Sequence, residues 1–403
     1  MITCQTLHTT TLPRDLSHDP SIYHVNITGS EVCVRDTLFN LLDEHHRRFH
    51  IEYGGYLANY IAHNLFSLYA LGATSACLTE YFEQTSPKLE RFPPSKIHIT
   101  EANWRLFLGQ KKYYTDYVKF FDECISTFGL LETFQRYGSI LISGLLGNSL
   151  HPLIHLGFGI EFEHPSVTSE GLAYAAMSYL SHGEIIDEPS SPSKDNQDCK
   201  QILEMVRTDK RFDGPFEGLF QNKVKILVKS RGDLLKRYVD AWVICGVDIN
   251  PVEKLHELTR IVTQMYASEC RKNQPNVFLG HILTSSRAIN SLIPHLSSVD
   301  QTRLLRVYWL AVISLYIIQG RPHIQSHESD EMEVERLKAW PSIIHQVLLS
   351  QDEKVPNLVR TLMWVETETK FNHGLYRNTA EMTVSMIKEY QWGVDGIGWW
   401  TVK

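Results

Sequence analysis

Apolar residues recur along most of this chain with the period of an α-helix. From residue 36 they fall three and four positions apart, in a stripe formed by Leu38, Leu41, Leu42, His45 and Phe49. A second stripe runs through residues 61–69 and stops at Gly72, as helices often do. Residues 304–318 are apolar on nearly every side, which predicts a buried central helix. Alternating, period-two segments are almost absent, so the pattern predicts an all-α protein.

The same pattern predicts a large single-domain helical bundle over residues 36–403. Residues 1–35 are rich in Thr, Pro and Asp, and we expect them to form an extended N-terminal arm. Residues 187–200 carry mostly Pro, Ser, Asp and Lys, so they cannot contribute to a core and predict a mobile loop. With 403 residues, 43% of them hydrophobic, the chain can bury a large core.

The segment 150–162 combines apolar residues with candidate chemistry. His151 and His155 are four residues apart, so a helix here would present both imidazoles on one face, as many metal sites require. Pro152 suits the first turn of such a helix. Gly157 and Gly159 would loosen or end it and allow a ligand to approach closely. From the spacing alone, both histidines can equally be core residues bonded to backbone carbonyls.

Composition excludes several classes of function. The net charge of −7 and the absence of a basic stripe argue against nucleic-acid binding. The seven cysteines are scattered and form no CxxC pair, which indicates a reducing compartment without disulfides or a zinc–thiolate site. We expect no signal peptide, because the first residues lack a basic stretch followed by an apolar run. The longest apolar run, 307–318, is shorter than the roughly 18–20 residues needed to span a bilayer. We therefore expect a soluble cytoplasmic protein with no membrane partner.

Most common catalytic motifs are missing. There is no GxSxG elbow, Walker loop or HExxH motif, and no glycine-rich fingerprint lies in a βαβ pattern, so a conventional flavin or nicotinamide domain is not expected. Histidines remain the main candidates. Four of the 19 lie in apolar helical segments: His63, His151, His155 and His281. They suit iron, copper or zinc, or acid–base chemistry on a phenol or enol, or a structural role in the core. Six others lie in polar surroundings and are predicted to be at the surface: His45, His46, His50, His182, His327 and His373.

Four segments together resemble the questin oxidase family of fungal secondary metabolism. They are residues 49–73, the His-Pro-Leu-Ile-His block at 151–155 with Glu161 and Phe162, the segment 278–285, and the turn at 320–322. They occur in order over most of the chain, from about residue 38 to about residue 362. The block at 151–155 is the most specific of them.

This resemblance implies an all-helical oxygenase that acts on an anthraquinone-like or other polyketide substrate with O2. The family is described as Baeyer–Villiger-type and NADPH-dependent, and related members resemble non-haem iron oxygenases with a mostly histidine site. Carried over to this chain, Fe(II) would be bound by the four inward-facing histidines, and NADPH would be a possible cosubstrate, without flavin. Glu161 would be a ligand or would orient an imidazole, and an aromatic pocket would be lined by Phe158, Phe162 and Tyr174.

The sequence departs from the family pattern at three positions. Tyr60 stands where the family usually has a histidine, and Lys354 and Asn357 stand near the late helix where it often has a histidine and a lysine. Tyr60 would suit a hydrogen-bonding or acid role in catalysis. If the family positions are ligands, the same pocket would bind metal weakly, or would support a non-redox cyclisation or isomerisation by His and Tyr acid–base catalysis.

Overall fold

The computed structural model describes residues 31–55, 57–187, 197–214, 216, 220–244, 249–271, 275–324, 338–350, 352–369, 374–387 and 392. Within these residues the protein is all-α, as predicted. A single β-hairpin is described, in which β1 (Glu52–Tyr53) pairs antiparallel with β2 (Leu57–Ala58). None of the helices described is long and apolar enough to cross a membrane.

Seventeen α-helices are described. In the first half they are α1 (Glu31–Arg48), α2 (Ile61–Ala70), α3 (Ser75–Thr85), α4 (Tyr114–Phe128), α5 (Leu130–Thr133), α6 (Ser139–Leu141), α7 (His151–Glu161), α8 (Pro165–Met177) and α9 (Gly183–Ile186). In the second half they are α10 (Cys199–Thr208), α11 (Phe220–Ala241), α12 (Pro251–Cys270), α13 (Val277–Leu292), α14 (Ser298–Ile318), α15 (Trp340–Leu348), α16 (Val355–Thr369) and α17 (Leu375–Ile387).

The buried central helix predicted at residues 304–318 is confirmed as the larger part of α14. Ser297 caps its N-terminus by accepting a hydrogen bond from the backbone of Asp300, and every residue from Leu304 to Ile318 is buried. The chain leaves the helix through Gly320, whose positive φ of 89° is easily adopted by glycine. A helix that is apolar on all sides can only be stable when other helices surround it.

Helix α7 is the second buried helix, and its glycines do not have the role that the sequence suggested. The helix begins at His151 with Pro152 in its first turn and continues through both glycines to Glu161. A Cβ atom on Gly157 would lie 2.4 Å from the Cβ of Ala288 on α13, and one on Gly159 would lie 2.6 Å from the Oγ1 of Thr168 on α8. The prediction that they end the helix or admit a ligand is therefore wrong: they allow neighbouring helices to approach α7.

Two predicted boundaries are shifted. Helix α1 begins at Glu31, so residues 31–35 belong to a helix and not to an extended arm, while residues 1–30 lie outside the described residues. Of the predicted loop at 187–200, residues 188–196 also lie outside them. Its last residues are helical, because Asp198 and Gln201 form a reciprocal capping box at the start of α10.

Four of the histidines predicted to be at the surface are not exposed. His45 and His182 are only 1% and 5% exposed, and His46 is half-buried. His45 and His46 point inward because α1 packs along α2 and α8, which cover this face of its C-terminal turn. His182 is covered where the chain turns into α9 and its backbone donates to the Ser143 carbonyl. His50 is half-buried beside the hairpin, and His327 and His373 lie outside the described residues.

Candidate active site

The four histidines predicted to face inward meet where α2, α7 and α13 pack together. His63 lies on α2, His151 and His155 lie on α7, and His281 lies on α13; all four are buried. The ring centres of His151 and His281 are 4.4 Å apart, and those of His63 and His155 are 5.1 Å apart. The side chain of Tyr60, just before α2, contacts both pairs. The fold thus assembles one polar centre from three distant segments.

The Tyr60 hydroxyl lies between two imidazoles. It is 2.6 Å from Nε2 of His151 and 2.7 Å from Nε2 of His281. Nδ1 of His151 donates to the Asn148 carbonyl at 2.7 Å, so its Nε2 is left as the acceptor for the Tyr60 proton. The Tyr60 oxygen then accepts from Nε2 of His281. Burial lowers the pKa of His151 to about 4, holds that of His281 well below its ordinary value and raises the pKa of Tyr60, so all three are neutral.

A left-handed turn sets the position of His151. Asn148, Ser149 and Leu150 are buried and have φ values of 49°, 57° and 67°. Non-glycine residues in this conformation cost about 1–2 kcal/mol each, so three in succession must be held by tertiary contacts. The Asn148 amide donates to both Glu52 and the Tyr174 hydroxyl. The turn aims the Asn148 carbonyl at His151 and thereby selects its tautomer.

The second pair of histidines continues into a buried carboxylate. Nδ1 of His155 lies 3.2 Å from Nε2 of His63, and Nε2 of His155 donates to Glu170 at 2.8 Å. Glu170 on α8 also accepts hydrogen bonds from His45 and His46 of α1. Burial alone would raise the pKa of Glu170, but the histidines outweigh it, and the pKa lies well below its ordinary value. A charged carboxylate is therefore fixed in the interior.

A small pocket, of about 20 Å³, lies beside this centre. Among the described residues its polar lining consists of Tyr60, His63, His281, Thr284, Glu353, Lys354 and Asn357, and its apolar lining of Ile154, Val277, Gly280, Leu358 and Trp392. The Lys354 ammonium lies 5.6 Å from the ring centre of Tyr60 and 5.8 Å from that of Trp392, which is cation–π distance. Burial lowers the pKa of Lys354. The pocket therefore combines a cation, neutral imidazoles and apolar walls.

The predicted aromatic lining lies elsewhere. Phe158 and Phe162 stack on Phe66 in the core, with ring centres 5.5 Å and 4.4 Å away. Tyr174 is buried behind the left-handed turn, where its hydroxyl meets Asn148. None of the three is among the residues that line the pocket. The three rings are buried in the core and do not form the expected pocket lining.

Glu161 pairs with arginines. Its carboxylate accepts from Arg287 at 2.6 Å and from Arg360. Burial would raise the pKa of Glu161, but the two guanidinium groups outweigh it and lower the pKa. The structure describes no contact between Glu161 and an imidazole, and Glu170 is the carboxylate that orients one. The spacing in the sequence could not distinguish them, because both lie within one helical hairpin.

These hydrogen bonds leave few nitrogens for a metal. His151 and His155 use both ring nitrogens, whereas Nδ1 of His63 and Nδ1 of His281 have no hydrogen-bond partner among the described residues. Within that part of the chain, no group of three or more His, Cys, Asp or Glu side chains is arranged to hold a metal ion. The four-histidine site is not assembled in this arrangement, and iron stays a prediction.

Comparison with known proteins identifies the family. A family model described as questin oxidase-like matches residues 57–362, which include all four histidines, Tyr60 and Lys354. The chain belongs to the questin oxidase-like family. The resemblance seen in the sequence is therefore confirmed.

Three relatives show the extent of the similarity within the questin oxidase-like family. The chain is 26% identical to a questin oxidase of Aspergillus terreus over 71% of this chain and 68% of the relative. It is 25% identical to a Baeyer–Villiger monooxygenase of a Cryptosporiopsis species over 76% and 75%. It is 30% identical to a Baeyer–Villiger oxidase of Pestalotiopsis microspora over 80% and 79%. These names state the activities of the relatives and not that of this chain.

The sequence pattern does not reveal the part of the site that lies on α1 and α8. His45 and His46 were assigned to the surface and Glu170 was not considered, although the three form the buried polar cluster beside His155. One signal was present, because His45 falls on the apolar stripe of its helix. No comparable signal distinguishes Glu170 in the sequence.

Proposed function

We propose that this protein is an oxidoreductase that uses O2 to oxidise an aromatic or enolisable polyketide ring in secondary metabolism. Membership of the questin oxidase-like family carries the proposal, because the relatives compared above are named oxidases or Baeyer–Villiger monooxygenases. The pocket supports it. Ile154, Val277 and Leu358 give the pocket apolar surface beside its polar groups, a combination typical of sites that bind aromatic molecules.

Lys354 would bind the oxygen of such a ring. A carbonyl oxygen, or the oxyanion of an enolate or phenolate, gains most from a nearby positive charge when water is excluded. Lys354 is the one lysine among the described residues that line the pocket, and the rings of Tyr60 and Trp392 flank it. Its lowered pKa also makes it a competent proton donor to a developing oxyanion.

O2 reacts with organic molecules through a metal, a flavin or an electron-rich carbanion of the substrate. The described imidazoles do not form a metal site, so no step is assigned to iron here. An enolate or phenolate bound beside Lys354 supplies the third route. Insertion of one oxygen atom releases the other as water and needs two electrons, for which NADPH is the proposed source. Ring cleavage that incorporates both oxygen atoms of O2 into the product needs no added reductant.

Oxygen uptake tests the proposal. Purified protein would be mixed with questin or a related hydroxyanthraquinone in an oxygen electrode, with and without NADPH, and the product analysed by mass spectrometry after labelling with ¹⁸O2. We expect uptake and incorporation of labelled oxygen. His182→Asn is the matched control, because His182 is a buried histidine outside the pocket. Unchanged substrate under all conditions would overturn the proposal for this class of substrate.

A non-redox cyclase or isomerase is the second candidate. It is favoured by one observation, namely that hydrogen bonds between Tyr60 and two histidines give the site acid and base groups without any redox cofactor. The same experiment separates the two candidates. A product with the mass of the substrate, formed without oxygen uptake, would support the cyclase or isomerase and contradict the oxidase.

A further inference from the structure

We propose that the indole of Trp392, held by Asp352, occupies the ring-binding part of the pocket in the free protein, and that an aromatic substrate displaces it to reach Lys354. The inference rests on the proposed function, because its ligand is the aromatic ring assigned there. Its structural basis is separate: a flat, bicyclic side chain closes the pocket. Trp392 lies outside residues 57–362, which the family model matches, so membership of the family does not imply it.

The pocket is too small for the proposed substrate. Its volume is about 20 Å³, whereas sites for molecules of several rings usually enclose about 300–1,000 Å³. One water molecule already needs about 10–15 Å³, so the space beside Tyr60 and Lys354 holds little more than that. At least one wall must therefore move before a fused ring can lie against Lys354.

Trp392 is the wall whose movement disturbs the least structure. The other described residues that line the pocket lie on α2, α7, α13 and α16, or within two residues of the start of one of these helices. These four helices pack against one another, so displacing any of them breaks contacts within the core. Trp392 lies beyond the end of α17 at Ile387, and its side chain is half-buried.

A hydrogen bond to a fixed carboxylate holds the indole in place. Nε1 of Trp392 donates to Oδ2 of Asp352 at 2.7 Å. The other carboxylate oxygen, Oδ1, accepts from the backbone N–H groups of Lys354 and Val355, at 2.7 Å and 3.1 Å. Such a turn fixes the carboxylate at the start of α16. Asp352 is therefore a positioning residue for Trp392, and it also shapes the backbone that carries Lys354.

The indole makes the contacts that a substrate ring would make. The Lys354 ammonium lies 5.8 Å from its ring centre, within cation–π distance. A Cβ atom on Gly280 would lie 3.8 Å from Cζ3 of Trp392, so the six-membered ring reaches the backbone of α13. Displacement exchanges one aromatic ring for another over the same cation. The substrate oxygen then offers Lys354 a charge-assisted hydrogen bond, which is stronger than the contact it replaces.

The sign of a change in affinity tests the proposal. If the indole competes with the ligand, its removal tightens binding, whereas removal of a wall on which the ligand stacks weakens it. The probe is 2-hydroxyanthraquinone, measured by equilibrium dialysis without oxygen at a pH where the dye is neutral. We expect Trp392→Ala to bind it about tenfold more tightly than the wild type, or about 1.4 kcal/mol, the order of one hydrogen bond to a charged group. Weaker or unchanged binding overturns the proposal, and so does the absence of binding to both proteins.

Asp352→Asn tests the anchor without removing the indole. The amide oxygen can still accept from the backbone at the start of α16, but the amide nitrogen in place of Oδ2 cannot accept from Trp392. We expect tighter binding of the dye, by a smaller factor than in Trp392→Ala. The substitution also removes a charge near Lys354, so it is repeated in the Trp392→Ala background. There its effect should vanish, because the two residues act through one hydrogen bond. An undiminished effect in the double variant would overturn the role of Asp352.

Trp340 provides the matched control. Its Nε1 also donates to a carboxylate, that of Glu366, at 3.2 Å, but Trp340 is not among the described residues that line the pocket. Trp340→Phe and Trp392→Phe each remove one such hydrogen bond and keep an aromatic ring. We expect only Trp392→Phe to bind the dye more tightly. Equal tightening by both would show a general loosening of the fold and contradict the proposal.

Displacement can be observed directly by ¹⁹F NMR of protein labelled with 5-fluorotryptophan. The chain has eight tryptophans, and Trp392→Phe identifies the resonance of Trp392. On addition of the dye we expect this resonance to move towards its position in the unfolded protein, because the indole leaves the pocket. The resonance of Trp340, assigned in the same way, should stay. A Trp392 resonance that stays, or moves away from the unfolded position, would indicate a fixed wall and overturn the proposal.

Oxygen uptake keeps this inference distinct from the proposed function. Tighter binding by Trp392→Ala, with no oxygen uptake by either protein, would refute the oxidase and leave the displacement of Trp392 intact. Oxygen uptake by the wild type together with weaker binding by Trp392→Ala would refute the displacement alone.

Discussion

The hydroxyl of Tyr60 joins α7 and α13, because it lies within hydrogen-bond distance of His151 on one helix and His281 on the other. In Tyr60→Phe, Nε2 of His151 and Nε2 of His281 would both lose their partner in a buried environment. We expect the free energy of unfolding to fall by about 1–3 kcal/mol. Turnover should fall as well, because the ring of His281 is no longer fixed beside the pocket. Urea denaturation and initial rates measure the two effects.

The control for this change is Tyr113→Phe. Tyr113 is half-buried, and its hydroxyl makes no hydrogen bond within the described residues, so stability and turnover should both be preserved. Unchanged turnover in Tyr60→Phe would show that the hydroxyl has no part in catalysis.

His46 gives a prediction about pH. Burial alone would lower its pKa, but hydrogen bonds and charges from Asp122 and Glu170 outweigh this and raise the pKa of His46 from 6.5 to about 10. A pKa raised by folding stabilises the folded state fully below the unfolded pKa, and this stabilisation is lost as the pH rises through the folded pKa. The difference in unfolding free energy between wild type and His46→Gln should therefore be largest below pH 6.5 and decrease as the pH rises towards 10.

Exposed His98 provides the comparison for His46. His98→Gln removes an exposed imidazole instead of the covered one, and its unfolding free energy is measured over the same pH range. A pH-independent difference for His46→Gln would contradict the ion pair with Glu170.

Residue-level prediction from the sequence succeeded where local spacing decides the outcome. The four-residue interval of His151 and His155 was sufficient to place both on one face of a helix. Their partners could not be inferred, because Asn148, Tyr60 and Glu170 are brought to them by a strained turn and by other helices. Helical periodicity carries no information about which buried polar groups on different helices will meet.

At the scale of elements, close packing of α7 depends on glycine. Gly157→Ala would place a methyl group 2.4 Å from the Cβ atom and 2.6 Å from the Cα atom of Ala288. Helices α7 and α13 would therefore have to separate. We expect a loss of about 1–3 kcal/mol in stability. Activity should fall too, because these two helices carry His151 and His281. Thermal melts and oxygen uptake would measure the changes.

Gly232→Ala on α11 is a matched control, because a Cβ there meets no atom within 4 Å. It should be neutral or stabilise the protein by about 0.4–1 kcal/mol by restricting the unfolded chain. Equal effects of the two substitutions would argue against tight packing at Gly157.

Helices were the most predictable elements, and irregular turns the least. The apolar all-round pattern identified most of α14, and Asn250 with Pro251 marked the start of α12. The left-handed turn at Asn148–Leu150 has no glycine to reveal it, since its conformation is imposed by Glu52 and Tyr174 from distant segments. The glycines of α7 were seen but misread, because only the neighbouring helices explain them.

Over the whole molecule, the site depends on helices from both halves of the chain. Glu170 links α1, α7 and α8, while Tyr60 links the start of α2 to α7 and α13. Helix α16 begins beside the pocket with Lys354 immediately before it. The fold class and the family were accessible from the sequence, since both are distributed over hundreds of residues. The convergence of the polar groups was not, because it is a property of the packed bundle.

The hydrogen bonds of the four histidines limit how tightly the site can bind a metal ion. Of the eight ring nitrogens of His63, His151, His155 and His281, only two Nδ1 atoms lack a hydrogen-bond partner among the described residues, and two imidazoles hold a metal ion weakly. We expect protein dialysed against EDTA to contain little iron and to retain its oxygen uptake. Elemental analysis and an oxygen electrode would measure both. One equivalent of iron, lost in His151→Ala/His155→Ala together with activity, would contradict this. It would require the Tyr60 hydroxyl to leave the two imidazoles so that their Nε2 atoms could bind the ion, and Tyr60→Phe should then tighten iron binding.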